Sequence, residues 1–160
     1  MTKKIFIKNT QNADSRTADD KLSKKTLYEA TAMHRGDVNE IMDVVADMII
    51  DRGVHHDYTK SIYFDEFAEE VLKPHTDTEF KNANWYQTHI FEERHHLNAN
   101  CPLDVNLIDV IEMICDCVCA GMARSGEVRE LEISEDILLR AVRNTVEMCK
   151  EAVVLRSEEE

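Results

Sequence analysis

Leu107-Ile108-Asp109-Val110-Ile111-Glu112-Met113-Ile114-Cys115-Asp116 is the stretch on which the fold class turns. Leu107, Ile108, Ile111, Ile114, Cys115 and Val118 recur at spacings of three and four, the period of one face of an α-helix. The predicted helix covers residues 105–124, and Gly121 and Gly126 loosen its end. Working outward, the same period recurs on both sides. Toward the C-terminus, Val128 to Ile133 reads as a short extended piece. Ser134 then caps a helix with Glu135 and Asp136 in its first turn. That helix runs to about Leu155, with Ile137, Leu138, Ala141, Thr145, Met148 and Ala152 on one face.

Toward the N-terminus, Asn98 to Asp104, with Pro102, is a turn, and residues 84–97 form a helix. Residues 76–82 are polar. Residues 55–73 are predicted helical, with Ile62, Phe64, Phe67, Ala68, Val71 and Leu72 as anchors and Pro74 as the stop. Residues 26–52 carry Leu27, Ala30, Val38, Ile41, Val45, Met48 and Ile49 on one side, with Gly36 as a break point and Gly53 as a C-terminal stop. Residues 1–25 are an extension, partly irregular, with a β-like run Ile5-Phe6-Ile7, and 156–160 are an acidic tail. The expected fold is therefore all-α: a single domain over 26–155 of five to seven helices, with a short N-terminal strand or ribbon. Only 4 Gly and 2 Pro in 160 residues favour long helices over a sheet rich in turns.

The composition narrows the functions. A net charge of −13 repels phosphate backbones and argues against binding a nucleic-acid duplex. No apolar run is long enough to cross a bilayer, and Met1 to Thr10 lacks the pattern of a signal peptide. The cysteine count, 5, is odd, and Cys115, Cys117 and Cys119 alternate on a helix. Free thiols packing as small apolar residues in a reducing cytoplasm account for them.

Four elements carry chemistry. His34 falls within an apolar stripe, where an imidazole needs a partner for its ring nitrogens, whether a core hydrogen bond or a metal. His56-Asp57 opens the run His-Asp-Tyr-Thr-Lys, in which Lys60 can meet a phosphate as a point charge. In the third, His89 and His96 stand two helical turns apart with Glu92 and Glu93 between them and Trp85 one turn further on, while His95 points elsewhere if the helix stays regular. This row suits a second metal, or a base with phosphate binders; a solvated polar face is the alternative. In the fourth, Asp109, Glu112 and Asp116 line the border of the most apolar helix, where carboxylates need a cation, a cap or an ion pair.

The order His, His-Asp, His/His-His, Asp resembles the HD superfamily of metal-dependent phosphohydrolases, over roughly residues 26–155. The resemblance implies that His34, His56, Asp57 and Asp116 bind a divalent metal, with His89 and His96 as the extra ligands of two-metal members. The chain is still more similar to a family of small phage- and prophage-encoded proteins of unassigned function. That similarity runs through Ser15-Arg16-Thr17-Ala18, Glu93-Arg94-His95-His96-Leu97-Asn98, Cys101 to Asp109, and Gly121-Met122-Ala123-Arg124-Ser125-Gly126. It implies a protein of the host-cell cytoplasm.

The donor set suits one or two ions of Mn²⁺, Fe²⁺, Co²⁺, Ni²⁺ or Zn²⁺. Such an ion lowers the pKa of water for attack on phosphorus. Lys60, Arg94 and Arg124 are candidates to neutralise phosphate oxygens, Glu92 or Glu93 to orient the water or take its proton, and Trp85 or Tyr86 to stack on a base. The expected activity is hydrolysis of a mono-, tri- or cyclic nucleotide, by a possible homodimer. The alternative is a helical module that binds a nucleotide, a metal or a host protein without turnover.

Overall fold

Ser23 and Thr26 open the first long helix by capping each other: the Thr26 N–H donates to Ser23 Oγ (3.1 Å) and the Ser23 N–H to Thr26 Oγ1 (2.9 Å). Helix α1 then runs over Lys24–Val54 without a break. Gly36 lowers helix preference by only about 1 kcal/mol relative to Ala. With no proline beside it, that is too little to divide the helix. The structure is a computed structural model, and it describes residues 3–10, 13–14, 16, 23–128 and 130–156. The acidic tail beyond Arg156, and Ser15, Thr17 and Ala18 of the N-terminal extension, lie outside the described residues.

After α1 come α2 (Tyr58–Ile62), α3 (Phe64–Leu72), α4 (Asp77–Lys81), α5 (Asn84–Glu92), α6 (Leu107–Ser125) and α7 (Glu135–Ala152). Strands β1 (Ile5–Lys8) and β2 (Val153–Arg156) lie at the two ends of the chain. The all-α class with a short N-terminal strand thus holds among the described residues. No helix there is long and apolar enough to cross a membrane.

Several boundaries differ from the expected ones, each for a local reason. The segment expected as one helix over 55–73 is two, because Tyr63 leaves helical geometry (φ −108°, ψ 43°). The polar stretch after Pro74 contains α4, nucleated by a capping box in which Thr76 Oγ1 accepts the Glu79 N–H and the Glu79 carboxylate accepts the Thr76 N–H. The last helix stops at Ala152 rather than near Leu155, since Val153, Val154 and Leu155 pair with β1 instead. Among the described residues, 128–133 contains no strand. Cys115 and Cys119 are exposed rather than core fillers.

The chain divides into two compact units, Met1–Met48 with Val146–Glu160, and Ile49–Thr145. In the first, β1 and β2 pair in parallel, Ile5 opposite Val153 through Lys8 opposite Arg156. Two strands alone are marginal in water. Here Ile5 is buried in a cluster with Val44 and Ala152, and Ile7, Ile41 and Met48 pack around it. In the second unit, Leu97, Val105, Val110, Met113 and Ala141 form the core. Helix α6, the scaffold of this unit, is fixed at both ends. Asn106 and Asp109 make a capping box at its start, and Gly126 closes it in the left-handed conformation (φ 73°). Along α6, the Cβ that Gly121 lacks would stand 2.7 Å from the Glu127 carbonyl oxygen. Only glycine lets the following segment return so close to the helix.

Candidate metal centre

All groups of the cluster belong to the second unit. His56 and Asp57 occupy the turn between α1 and α2, and Asp57 has left-handed backbone (φ 56°, ψ 27°), the one non-glycine residue with positive φ among those described. Asp tolerates that region better than most residues, and such strain concentrates at functional sites. The turn aims the Asp57 carboxylate inward. His89 comes from the last turn of α5.

Helix α5 ends at Glu92 rather than Leu97. Glu93 turns extended (φ −81°, ψ 112°), drawn by hydrogen bonds from the Thr59 N–H (2.8 Å) and Oγ1 (2.6 Å). Arg94 is drawn away by Asp109 (2.8 Å) and Asp104 (3.0 Å). Freed from the helix, His95 and His96 both turn toward His89. His95, expected to point elsewhere, is only 2% exposed and central to the cluster.

The distances describe a convergence on Asp57. Its Oδ1 lies 3.4 Å from His89 Nε2 and 3.7 Å from His95 Nε2, while Oδ2 lies 3.6 Å from His56 Nε2. Asp116, from α6, places Oδ1 3.6 Å from the same His56 Nε2. His96 Nε2 lies 2.9 Å from His89 Nε2. Donor atoms of Asp57, His95 and His96 all fall within 4.8 Å of one another. Asp57 Oδ1 is buried and has no hydrogen-bond partner.

Behind these edges, the opposite ring nitrogens face supporting groups. His56 Nδ1 hydrogen-bonds Glu112 Oε1 (3.1 Å). His95 Nδ1 lies 3.2 Å from the same oxygen, an ion-pair contact without hydrogen-bond alignment. Arg52 in turn lies against Glu112 (3.4 Å) and the fully buried Asp109 (3.3 Å). His89 Nδ1 lies 2.6 Å from Thr59 Oγ1. An imidazole held at Nδ1 presents Nε2 as a ligand.

A second trio, His56, His95 and Glu112, also has cation-like spacing. It uses the Nδ1 atoms, however, at distances of hydrogen bonds and ion pairs, so we read Glu112 as a support rather than a ligand.

Protonation follows position. Burial pushes His96 down to about 4, helped by the neighbouring His95 and His89, and burial also lowers His89. Both rings are neutral near pH 7, the form that binds metals. For His95 burial acts downward too, but the Glu112 carboxylate 3.2 Å away, with the charge of Asp57, raises it overall. Burial opposes ionisation of Asp57; Lys60, His56 and His89 outweigh it and hold the carboxyl below its ordinary value.

A cavity of about 680 Å³ opens beside the cluster, lined by Asp57, His89, His95, His96 and Asp116, by Lys60 and Arg124, and by Phe67, Phe80, Trp85 and Tyr86. Lys60 pairs with Asp57. Trp85 is buried with one face stacked on His89 (5.1 Å, 16°) and Phe67 4.6 Å away. It is a wall behind His89 more than a platform for a base. Tyr86 packs against Phe80 at 5.2 Å.

The remaining expected residues stand elsewhere. Glu92 is exposed and accepts from the Tyr63 hydroxyl (3.1 Å); Glu93 is taken up by Thr59. Neither lines the cavity, and Arg94, spent on Asp104 and Asp109, does not line it either. His34 belongs to the other unit, on α1. Its side chain is 51% exposed, not sunk in an apolar stripe, and Nδ1 lies 3.9 Å from Asp14. The structure therefore brings together His56, Asp57, His89, His96 and Asp116, adds His95 with Glu112, Thr59 and Arg52 behind the rings, and leaves His34 outside the set.

The implied metal meets a test here. A buried carboxylate oxygen without a hydrogen-bond partner, faced by imidazole Nε2 atoms, is the arrangement a cation would satisfy, and a set of N and O donors suits the divalent transition ions. Fold and cluster define a helical protein with a histidine–carboxylate centre beside a cavity. The chain belongs to the family of unknown function DUF5662, whose model matches residues 23–152. No curated protein and no solved structure matches it.

Proposed function

We propose that the chain is a metal-dependent phosphohydrolase acting on a nucleotide. The observation that carries this reading is the buried, unpartnered Asp57 Oδ1 with imidazole Nε2 atoms at 3.4 and 3.7 Å, opening on a cavity large enough for a nucleotide. His56, Asp57, His89, His95, His96 and Asp116 hold one or two divalent ions. A bound ion supplies Lewis acidity toward water and phosphoryl oxygens. Lys60 and Arg124 receive the phosphate oxygens, and Arg124 has no ion-pair partner among the described residues. Phe80 and Tyr86 offer an apolar wall to a base.

Charge favours a monophosphate within the nucleotides. Two cationic side chains, Lys60 and Arg124, face three carboxylates, Asp57, Asp116 and Glu130, around the cavity. A single divalent ion then leaves room for a dianion more readily than for a triphosphate. In keeping with the resemblance to phage- and prophage-encoded proteins, the substrate belongs to host or phage nucleotide pools or to an immune signal.

Metal analysis of the purified protein, followed by phosphate release and chromatographic detection of ring-opened and triphosphate products from a panel of nucleoside mono-, tri- and cyclic phosphates with and without Mn²⁺, tests the reading. The expected result is bound metal and Mn²⁺-dependent release, fastest from a monophosphate. Protein free of metal and unable to take it up overturns the proposal. Bound metal with every nucleotide intact points instead to a binding module without turnover.

A further inference from the structure

Glu93, Thr59 and His89 form a chain of contacts whose polarity is set from one end. A carboxylate offers only lone pairs, so the Thr59 hydroxyl, 2.6 Å from Glu93 Oε1, must donate to it. The Thr59 N–H donates to the same oxygen at 2.8 Å, which anchors the carboxylate to the first turn of α2. With its only proton given to Glu93, Thr59 Oγ1 faces His89 Nδ1, 2.6 Å away, with lone pairs alone. The ring nitrogen at that contact must carry the proton. Glu93, Thr59 and His89 are all buried, so water offers no easy substitute partner.

We infer that Glu93, acting through the Thr59 hydroxyl, is a positioning residue that fixes His89 as the Nδ1–H tautomer and so presents a bare Nε2 to the cluster. This rests on the metal reading above for its purpose, though not for its geometry. It also accounts for the 2.9 Å approach of His96 Nε2 to His89 Nε2: His89 accepts there, and His96 donates. Trp85, stacked on the His89 ring, closes the remaining freedom of rotation about the contact.

The test is long-range ¹H–¹⁵N correlation spectroscopy of the histidine rings in the full metal-free chain, paired with Co²⁺ titration followed by visible absorption. In the wild type the proton is expected on His89 Nδ1. Thr59→Val removes the acceptor; the proton should move to Nε2, and Co²⁺ affinity should fall about 10–100-fold, the usual effect of losing a ligand's outer partner. Thr59→Ser keeps the hydroxyl and should restore both. Glu93→Gln can donate as well as accept, so it should give a mixture of tautomers and an intermediate affinity. A residue that merely supports the fold would lower stability in all variants and leave the tautomer alone.

A wild-type ring protonated at Nε2 overturns the inference directly, and it needs no variant to fold. So does a Thr59→Val protein with unchanged tautomer and unchanged Co²⁺ affinity. Nδ1–H in the wild type with no uptake of Co²⁺ overturns the metal reading instead and leaves the tautomer assignment standing.

Discussion

Replacing Asp57 with Asn separates the metal from the fold. Asn is nearly the same size and is itself enriched in left-handed backbone, so the turn at φ 56° survives. The change removes the charge at the point where His56, His89 and His95 converge. It also removes the pairing with Lys60, whose side chain is 39% exposed, and such pairs are worth about 1 kcal/mol or less. The metal-free variant should therefore melt within a few degrees of the wild type. Saturating metal gives a different result. At 100 times its Kd a ligand of the native state adds about 2.7 kcal/mol. At about 2–4 °C per kcal/mol for chains of this size, the wild type should gain roughly 5–11 °C. Asp57→Asn should gain little or nothing. Scanning calorimetry with and without Mn²⁺ reads both quantities. An equal metal-induced rise in the two proteins would refute the ligand role of Asp57. A collapse of the metal-free variant by far more than a few degrees would show that its carboxylate holds the turn rather than an ion.

Gly121→Ala should destabilise the protein by about 1–3 kcal/mol in urea unfolding, because the new Cβ meets a backbone oxygen at 2.7 Å. The sign is informative, since Gly to Ala inside a helix otherwise stabilises by up to about 1 kcal/mol. Asn106→Ala removes the acceptor of the Ile108 and Asp109 N–H groups and should cost about 1 kcal/mol in the same assay. Arg124→Gln should raise KM for the hydrolysed nucleotide about 10-fold or more while changing kcat less, the pattern of a lost contact to a charged group made equally in ground and transition states. An unchanged KM would remove Arg124 from the substrate site.

Helix positions were readable from the sequence wherever an apolar period ran with clear end signals. Ser134 is an example: its Oγ accepts the Ile137 N–H at 3.3 Å, as the capping pattern predicts. The run Ile5-Phe6-Ile7 announced a strand, but its partner, 148 positions away, follows from no local pattern. The hardest part was the end of α5. Ile90, Phe91 and Leu97 do not align on one face of a continuous helix, and that misalignment was the available sign of a break. The cause, however, is tertiary: Thr59 and Asp109 pull Glu93 and Arg94 in different directions. A regular helix therefore gave His96 the right place and His95 the wrong one. Conversely, Glu93 has the chemistry of a base, and only its two bonds from Thr59 show that one of its oxygens, Oε1, is already committed.

The parallel ribbon has a consequence for synthesis on the ribosome. Its two strands pair across almost the whole chain, Ile5 with Val153, so the first strand emerges long before its partner exists. Pairings of such long reach form late and slowly. The unit that contains the histidine–carboxylate cluster is continuous from Ile49 to Thr145, and all its residues are synthesised before the last strand. The nascent polypeptide must therefore shield the apolar edge of Ile5 and Ile7 until Val153 to Arg156 clear the exit tunnel. A stop codon ahead of Val153 would leave that edge permanently open, a site for chaperones or for aggregation.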